Sequence, residues 1–210
     1  MMSTEKEVFT FDELSDDAKD KARDWMRGLE SGDFDTEFLY EDFQETATIL
    51  GISFDVNEDL RWSGFSSQGD GASFSGSYYH APNASAKIRE ERPEETALHA
   101  IADGLQAIQV GYRLLSGHTV NAKISKNERY SHEMTMQIDT LEDSDTGEEL
   151  EWGDSYSAIE KRILELMRDF ARYMYESLEA EYDYRQSNEC IDEILKDGDY
   201  QFDEDGDRID

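Results

Sequence analysis

Ala18, Ala22, Trp25, Met26 and Leu29 recur every three or four residues behind Ser15, so the spacing predicts a helix capped by Ser15 and ending near Gly28 or Leu29. Phe38, Leu39, Phe43, Thr46, Ala47 and Leu50 predict a second helix over residues 36–50, with Gly51 as its C-terminal stop. The period then changes. Ile52, Phe54 and Val56 alternate as a strand does, and two further runs, 60–65 and 72–79, flank the Gly69-Asp70-Gly71 turn as a β-hairpin. A helical piece over 84–91 precedes Pro93, which suits the first turn of another helix. That helix carries Leu98, Ile101, Ala102, Leu105, Ile108, Gln109 and Tyr112 along one side and stops before Gly117.

Strands return at 118–124 and at 130–139, where Met134, Met136 and Ile138 alternate with Thr135 and Gln137; residues 125–129 turn between them. An acidic connection over 141–153 leads to the longest helix, 156–184, with Ile159, Ile163, Leu166, Met167, Phe170, Met174 and Leu178 as its buried stripe. A short helix at 188–195 and a hairpin turning at Asp205-Gly206 end the pattern. This order predicts an α+β fold: an antiparallel sheet of four or more strands packed against several helices, including one long C-terminal helix. With two prolines and no long Gly/Ser-rich linker, the chain reads as a single α+β domain over 1–210, with acidic N-terminal helices and an acidic C-terminal region.

The chain is strongly acidic. The 210 residues hold 51 acids against 20 bases, a formal net charge of −31, which repels nucleic-acid backbones and anionic membranes alike. The charge is segmental. Residues 61–138 hold 8 acids and 8 bases, whereas 1–60 hold 18 and 5, 139–154 hold 8 and none, and 176–210 hold 14 and 3. Adaptation to high salt predicts acids on every exposed element, which the neutral middle does not show. Solubility alone needs a net charge of roughly 2–8. With no apolar run at the N-terminus, no window near the length of a membrane span and one cysteine (Cys190), the expectation is a cytoplasmic chain without internal disulfides.

Three segments carry candidate chemistry. Glu37, Glu41 and Glu45 repeat at i, i+4 with Asp42 beside them, and no Lys or Arg lies between Arg27 and Arg61. Such a row of like charges is mildly unfavourable locally and reads either as a solvated helix face or as a surface for a basic partner, its spacing of roughly 5–6 Å being comparable to that of phosphates on duplex DNA. In the first helix, by contrast, Asp16, Asp20 and Asp24 each have a base three residues on. The C-terminal region, with Glu176, Glu179 and Asp183 and a further run of acids to Asp210, supplies a second acidic surface; it lacks the ligand spacing of a calcium loop. The third segment is the nearly uncharged turn from Ser63 to Phe74, with Trp62, Gln68 and Asp70 as its contact residues. It contains neither a Walker lysine nor a dinucleotide-binding glycine pattern, so architecture is the plainer role for its glycines. His80, His99, His118 and His132 form no metal spacing, and no nucleophile elbow is present. No metal, cofactor or catalytic set is expected.

The opening 10–19, the segment Trp62-Ser63-Gly64-Phe65-Ser66-Ser67-Gln68-Gly69-Asp70-Gly71-Ala72-Ser73-Phe74 and the ending 200–206 resemble a family of bacteriophage and prophage accessory proteins, some labelled as the antitoxin of a toxin–antitoxin stability system. That resemblance implies a phage accessory product acting in the bacterial host cytoplasm and carries over no catalytic residue. Charge and resemblance together lead to a non-enzymatic acidic protein that binds and inhibits a basic host defence or toxin protein, as a DNA mimic, without touching nucleic acid or membrane itself. Homodimer formation is a further partner expectation. The alternatives are a small ligand-binding domain or enzyme centred on residues 61–79, and a phage structural or assembly component.

Overall fold

The computed structural model describes residues 7–30, 34–150 and 154–209. Asp33, Asp210 and positions 151–153 of the acidic connection lie outside them. The helices are α1 (Asp16–Glu30), α2 (Glu37–Leu50), α3 (Ala84–Glu91), α4 (Thr96–Ser116), α5 (Asp154–Gln186) and α6 (Asn188–Asp197). The strands are β1 (Ile52–Ser53), β2 (Leu60–Ser63), β3 (Gly71–Phe74), β4 (Gly76–Tyr78), β5 (Val120–Ser125) and β6 (Gln137–Asp143). The fold is α+β, with a four-stranded antiparallel sheet in the order β1-β4-β5-β6, a separate β2–β3 hairpin and the expected long C-terminal helix. The chain forms two compact units: a terminal unit of residues up to Thr36 and from Glu179 on, and a central unit from Glu37 to Leu178.

In the terminal unit α1 buries Ala18, Ala22 and Met26 against Phe11, Leu14, Ile191, Leu195 and Phe202. The Ser15 hydroxyl accepts from the Ala18 N–H at 3.3 Å, the cap expected for α1. Leu29, expected on the buried face, is 52% exposed instead. The terminal hairpin is reduced to single bridges, Phe9 with Phe202 and Phe202 with Arg208. Gly206 sits there at φ +82°, and a Cβ on it would lie 2.2 Å from the Ala18 carbonyl oxygen, so no other residue fits this turn.

In the central unit α2 buries Phe43, Thr46, Ala47 and Leu50, and Gly51 closes it at φ +80°. Phe38, expected on that face, is 49% exposed. The hairpin pairs Leu60 with Phe74 and Ser63 with Gly71, but the run 72–79 splits: after Phe74 the chain leaves β3 and joins the other sheet as β4. Helix α4 starts three residues after Pro93 and ends at Gly117 with φ +85°, burying Leu98, Ile101, Ala102, Leu105, Gln109 and Tyr112. Two corrections fall on the third strand region. Residues 133–135 form a 3-10 turn, and β6 runs later than expected, over 137–143. The reason is polar. The His132 ring accepts from the Met134 N–H, and the Arg168 guanidinium donates to the carbonyls of Met134 and Met136, which holds this stretch out of the ladder. Further along, buried partners for Asp143 let the strand extend into acidic sequence.

Candidate functional site

The exposed face of α2 is built by periodicity. Burying Phe43, Thr46, Ala47 and Leu50 turns Glu37, Glu41 and Glu45 outward, with Tyr40 half-buried among them. The Trp62 indole N–H on β2 donates to the Tyr40 hydroxyl at 2.9 Å. Trp62 in turn stacks on Phe65, with ring centroids 5.4 Å apart and 19° between planes. Phe65 packs on Tyr175 of α5 at 5.6 Å, and the Tyr175 hydroxyl donates to the Gly64 carbonyl at 2.8 Å. A ladder of four half-buried aromatic rings therefore runs from α2 across the Ser63–Gly71 turn to α5, where exposed Glu176 follows Tyr175. Carboxylates of Glu37 and Glu41 flank one end and that of Glu176 follows the other.

The structure brings together residues from three separate sequence segments and divides others. Asp70 is spent on the turn itself: its carboxylate accepts from the N–H groups of Ser67 (2.6 Å) and Ser66 (3.1 Å) and from the Ser63 hydroxyl (3.3 Å). The Ser67 N–H leads in holding that carboxyl below its ordinary value, against the opposing effect of burial. Gln68 is exposed at the tip of the turn, next to Gly69 at φ +103°. The α2 row is not wholly unanswered, as the lack of a local base suggests. Arg92, at the end of α3, reaches Asp42 at 2.5 Å and Glu45 at 3.6 Å. Among the described residues no ion pair reaches Glu41 or Glu176. Glu179 and Asp183, also on α5, belong to the terminal unit. Tyr40 and Tyr175 were missed from sequence. Their only signal is adjacency, Tyr40 three residues after Glu37 and Tyr175 immediately before Glu176.

A second polar cluster closes the β5–β6 end of the sheet. Asp143, with its side chain 7% exposed, accepts from the Tyr112 hydroxyl at 2.9 Å and from the N–H groups of Asp145 and Thr146, each at 3.0 Å, and pairs with the His118 ring at 2.9 Å. Burial pushes this carboxyl up, but the Thr146 N–H, the Tyr112 hydroxyl and His118 outweigh it and hold it well below the usual carboxylate range. Two hollows lie away from the aromatic ladder. One is lined by Ile138, Leu141, Leu150, Tyr156 and Glu160, the other by Ser77, Tyr79, Asn121, Lys123, Thr140 and Glu142.

Aromatic faces beside carboxylates attract cations in two ways. A guanidinium stacks on the ring and its N–H fork pairs with the acids, each contact contributing on the order of 0.5–2 kcal/mol. Among the described residues, no three His, Cys, Asp or Glu side chains converge as a metal site, and no helix is long and apolar enough to cross a membrane. No curated protein and no solved structure matches the chain. The model of one family, described as Domain of unknown function (DUF8835), matches residues 36–188 and so contains the whole aromatic ladder with its acids. The chain belongs to that family of domains of unknown function.

Proposed function

We propose that this protein acts without catalysis, by binding and blocking a basic, arginine-rich surface of another protein, such as the nucleic-acid-binding face of a host defence or toxin protein. One observation carries the reading: the Tyr40–Trp62–Phe65–Tyr175 ladder joins the acidic face of α2 to Glu176 through one hydrogen bond and two ring contacts. The net charge of −31 steers a basic partner from a distance, and the ladder supplies short-range recognition that charge alone lacks. Glu37, Glu41 and Glu45 stand about 6 Å apart along α2, close enough to phosphate spacing to occupy a nucleic-acid-binding surface in place of DNA. The resemblance to phage and prophage accessory proteins supports a partner from a bacterial host. The test is affinity capture from a bacterial host lysate, washed first at low and then at high salt, with wild type and Trp62→Ala side by side. A nucleic-acid-binding protein should be retained at low salt, released at high salt and lost from the Trp62→Ala column. Equal retention by both columns would contradict the reading.

A further inference from the structure

Helix α4 presents a second surface of opposite character. Its outer face shows Val110, Leu114 and Leu115, which are 54%, 83% and 79% exposed, together with exposed Ala107 and Gly111. In a chain with 51 acids, residues 104–127 contain none, and Arg113 is the only charged residue between 104 and 116. Asp103, just before this stretch, is tied to Arg89 at 2.6 Å. The two glycines of α4 differ in their surroundings. A Cβ on Gly104 would press against Leu166 at 2.8 Å, so packing within the chain explains it. A Cβ on Gly111 would meet nothing within 4 Å, so nothing within the described chain asks for a residue that costs a helix interior stability relative to alanine.

We propose that this face pairs with the same face of a second copy, the two α4 helices lying antiparallel about a two-fold axis near Gly111. Charge identifies the occupant. Two copies each carrying −31 repel one another across acidic surfaces, and the acid-free face of α4 is where that repulsion is weakest. Residues 104–116 of α4 offer a basic partner no carboxylate, which separates this face from the α2 surface. A two-fold contact sets each apolar patch on its own equivalent, antiparallel helices oppose their dipoles favourably, and Gly111 lets the backbones approach closely. The pairing is independent of the function proposed above.

The mass of the full chain is measured by light scattering through a dilution series at low and high salt. Dimer is expected to form with concentration and to strengthen with salt, the reverse of binding to a basic partner. Leu114→Glu should return the chain to a monomer with unchanged circular dichroism. Gly111→Ala separates the roles: it should raise the thermal stability of the dilute monomer while weakening the dimer roughly tenfold, as overpacking a close contact does. In a Cys190→Ser background, Gly111→Cys should cross-link into a covalent dimer under mild oxidation. A monomer at every concentration in high salt overturns the proposal, and so does a dimer that survives Leu114→Glu.

Discussion

The terminal and central units carry similar net charge and use it differently. Residues 1–36 and 179–210 hold 24 acids and 8 bases, and residues 37–178 hold 27 and 12, so net charge alone does not distinguish them. Among the described residues of the terminal unit, the bases are committed to internal contacts. Arg23 pairs with Asp192 and Asp20, both at 2.6 Å, Arg27 with Asp24 at 2.9 Å and Lys21 with Asp207 at 2.8 Å. Arg208 lies over the rings of Trp25 and Tyr200, and Arg23 over Phe11. Acids there help hold helices and tail together. On the outer face of α2, Arg92 reaches Asp42 and Glu45, no ion pair among the described residues reaches Glu41, and aromatic rings stand beside the acids. Acid paired with base within the chain builds structure, whereas acid set beside half-buried aromatic rings is suited to a cation from outside.

Removing one base from each region separates the two uses of charge. Arg23→Met strips Asp192 of a two-pronged partner in a half-buried setting, and should cost about 2–3 kcal/mol, read as a fall in thermal midpoint. Arg92→Met should cost about 1 kcal/mol or less, because Glu45 and Asp42 are more exposed, and should raise affinity for an oligoarginine peptide by freeing two carboxylates. Trp62→Phe keeps the stack on Phe65 but loses the bond to Tyr40. It should cost about 1 kcal/mol in stability and favour oligoarginine over oligolysine less strongly than wild type does.

Acid titration sharpens the structural side. Arg89 and Ser85 hold the Asp103 carboxyl down to about 2, and Arg23 holds Asp192 below its ordinary value. A carboxyl depressed in the folded state stabilises it fully above the unfolded value of 3.8, and that contribution fades as pH falls toward 2. Wild type should therefore lose stability over this window, and Arg89→Gln should flatten the part that belongs to Asp103. The smallest effect is expected from Glu41→Gln. Stability should change by under about 0.5 kcal/mol, with a slight gain as like-charge repulsion is relieved.

Local pattern located the helices because each buries a stripe, although Leu29 of α1 and Phe38 of α2, expected in those stripes, are exposed; α4 stops at Gly117 and α5 before the Ser187 cap. It failed where a partner distant in sequence decides the outcome. β6 shifted because Arg168 holds the carbonyls of Met134 and Met136, thirty-odd residues before it, and because Asp143 is buried against Tyr112 and His118. The same limit applies to the site. The acids of α2 were visible as an i, i+4 row, and Trp62 as an aromatic beside a glycine-rich turn. Their meeting through Tyr40, and the reach of Phe65 to Tyr175 across 110 residues, depend on tertiary packing that no local spacing encodes. Arg92 escaped notice for the same reason, being fifty residues from Asp42.

Two neutralised variants with the same net charge separate a surface built for cations from total charge. One changes Glu37, Glu41 and Glu176 to Gln around the ladder; the other changes Asp16, Asp17 and Glu204, exposed acids of the terminal unit, to Asn, Asn and Gln. Binding of an oligoarginine peptide is measured for both at fixed ionic strength. A surface built for a basic partner predicts a loss of roughly tenfold or more for the first variant and little change for the second. Equal losses in the two would show that the peptide responds only to total charge and that the aromatic ladder with its acids is no cation site.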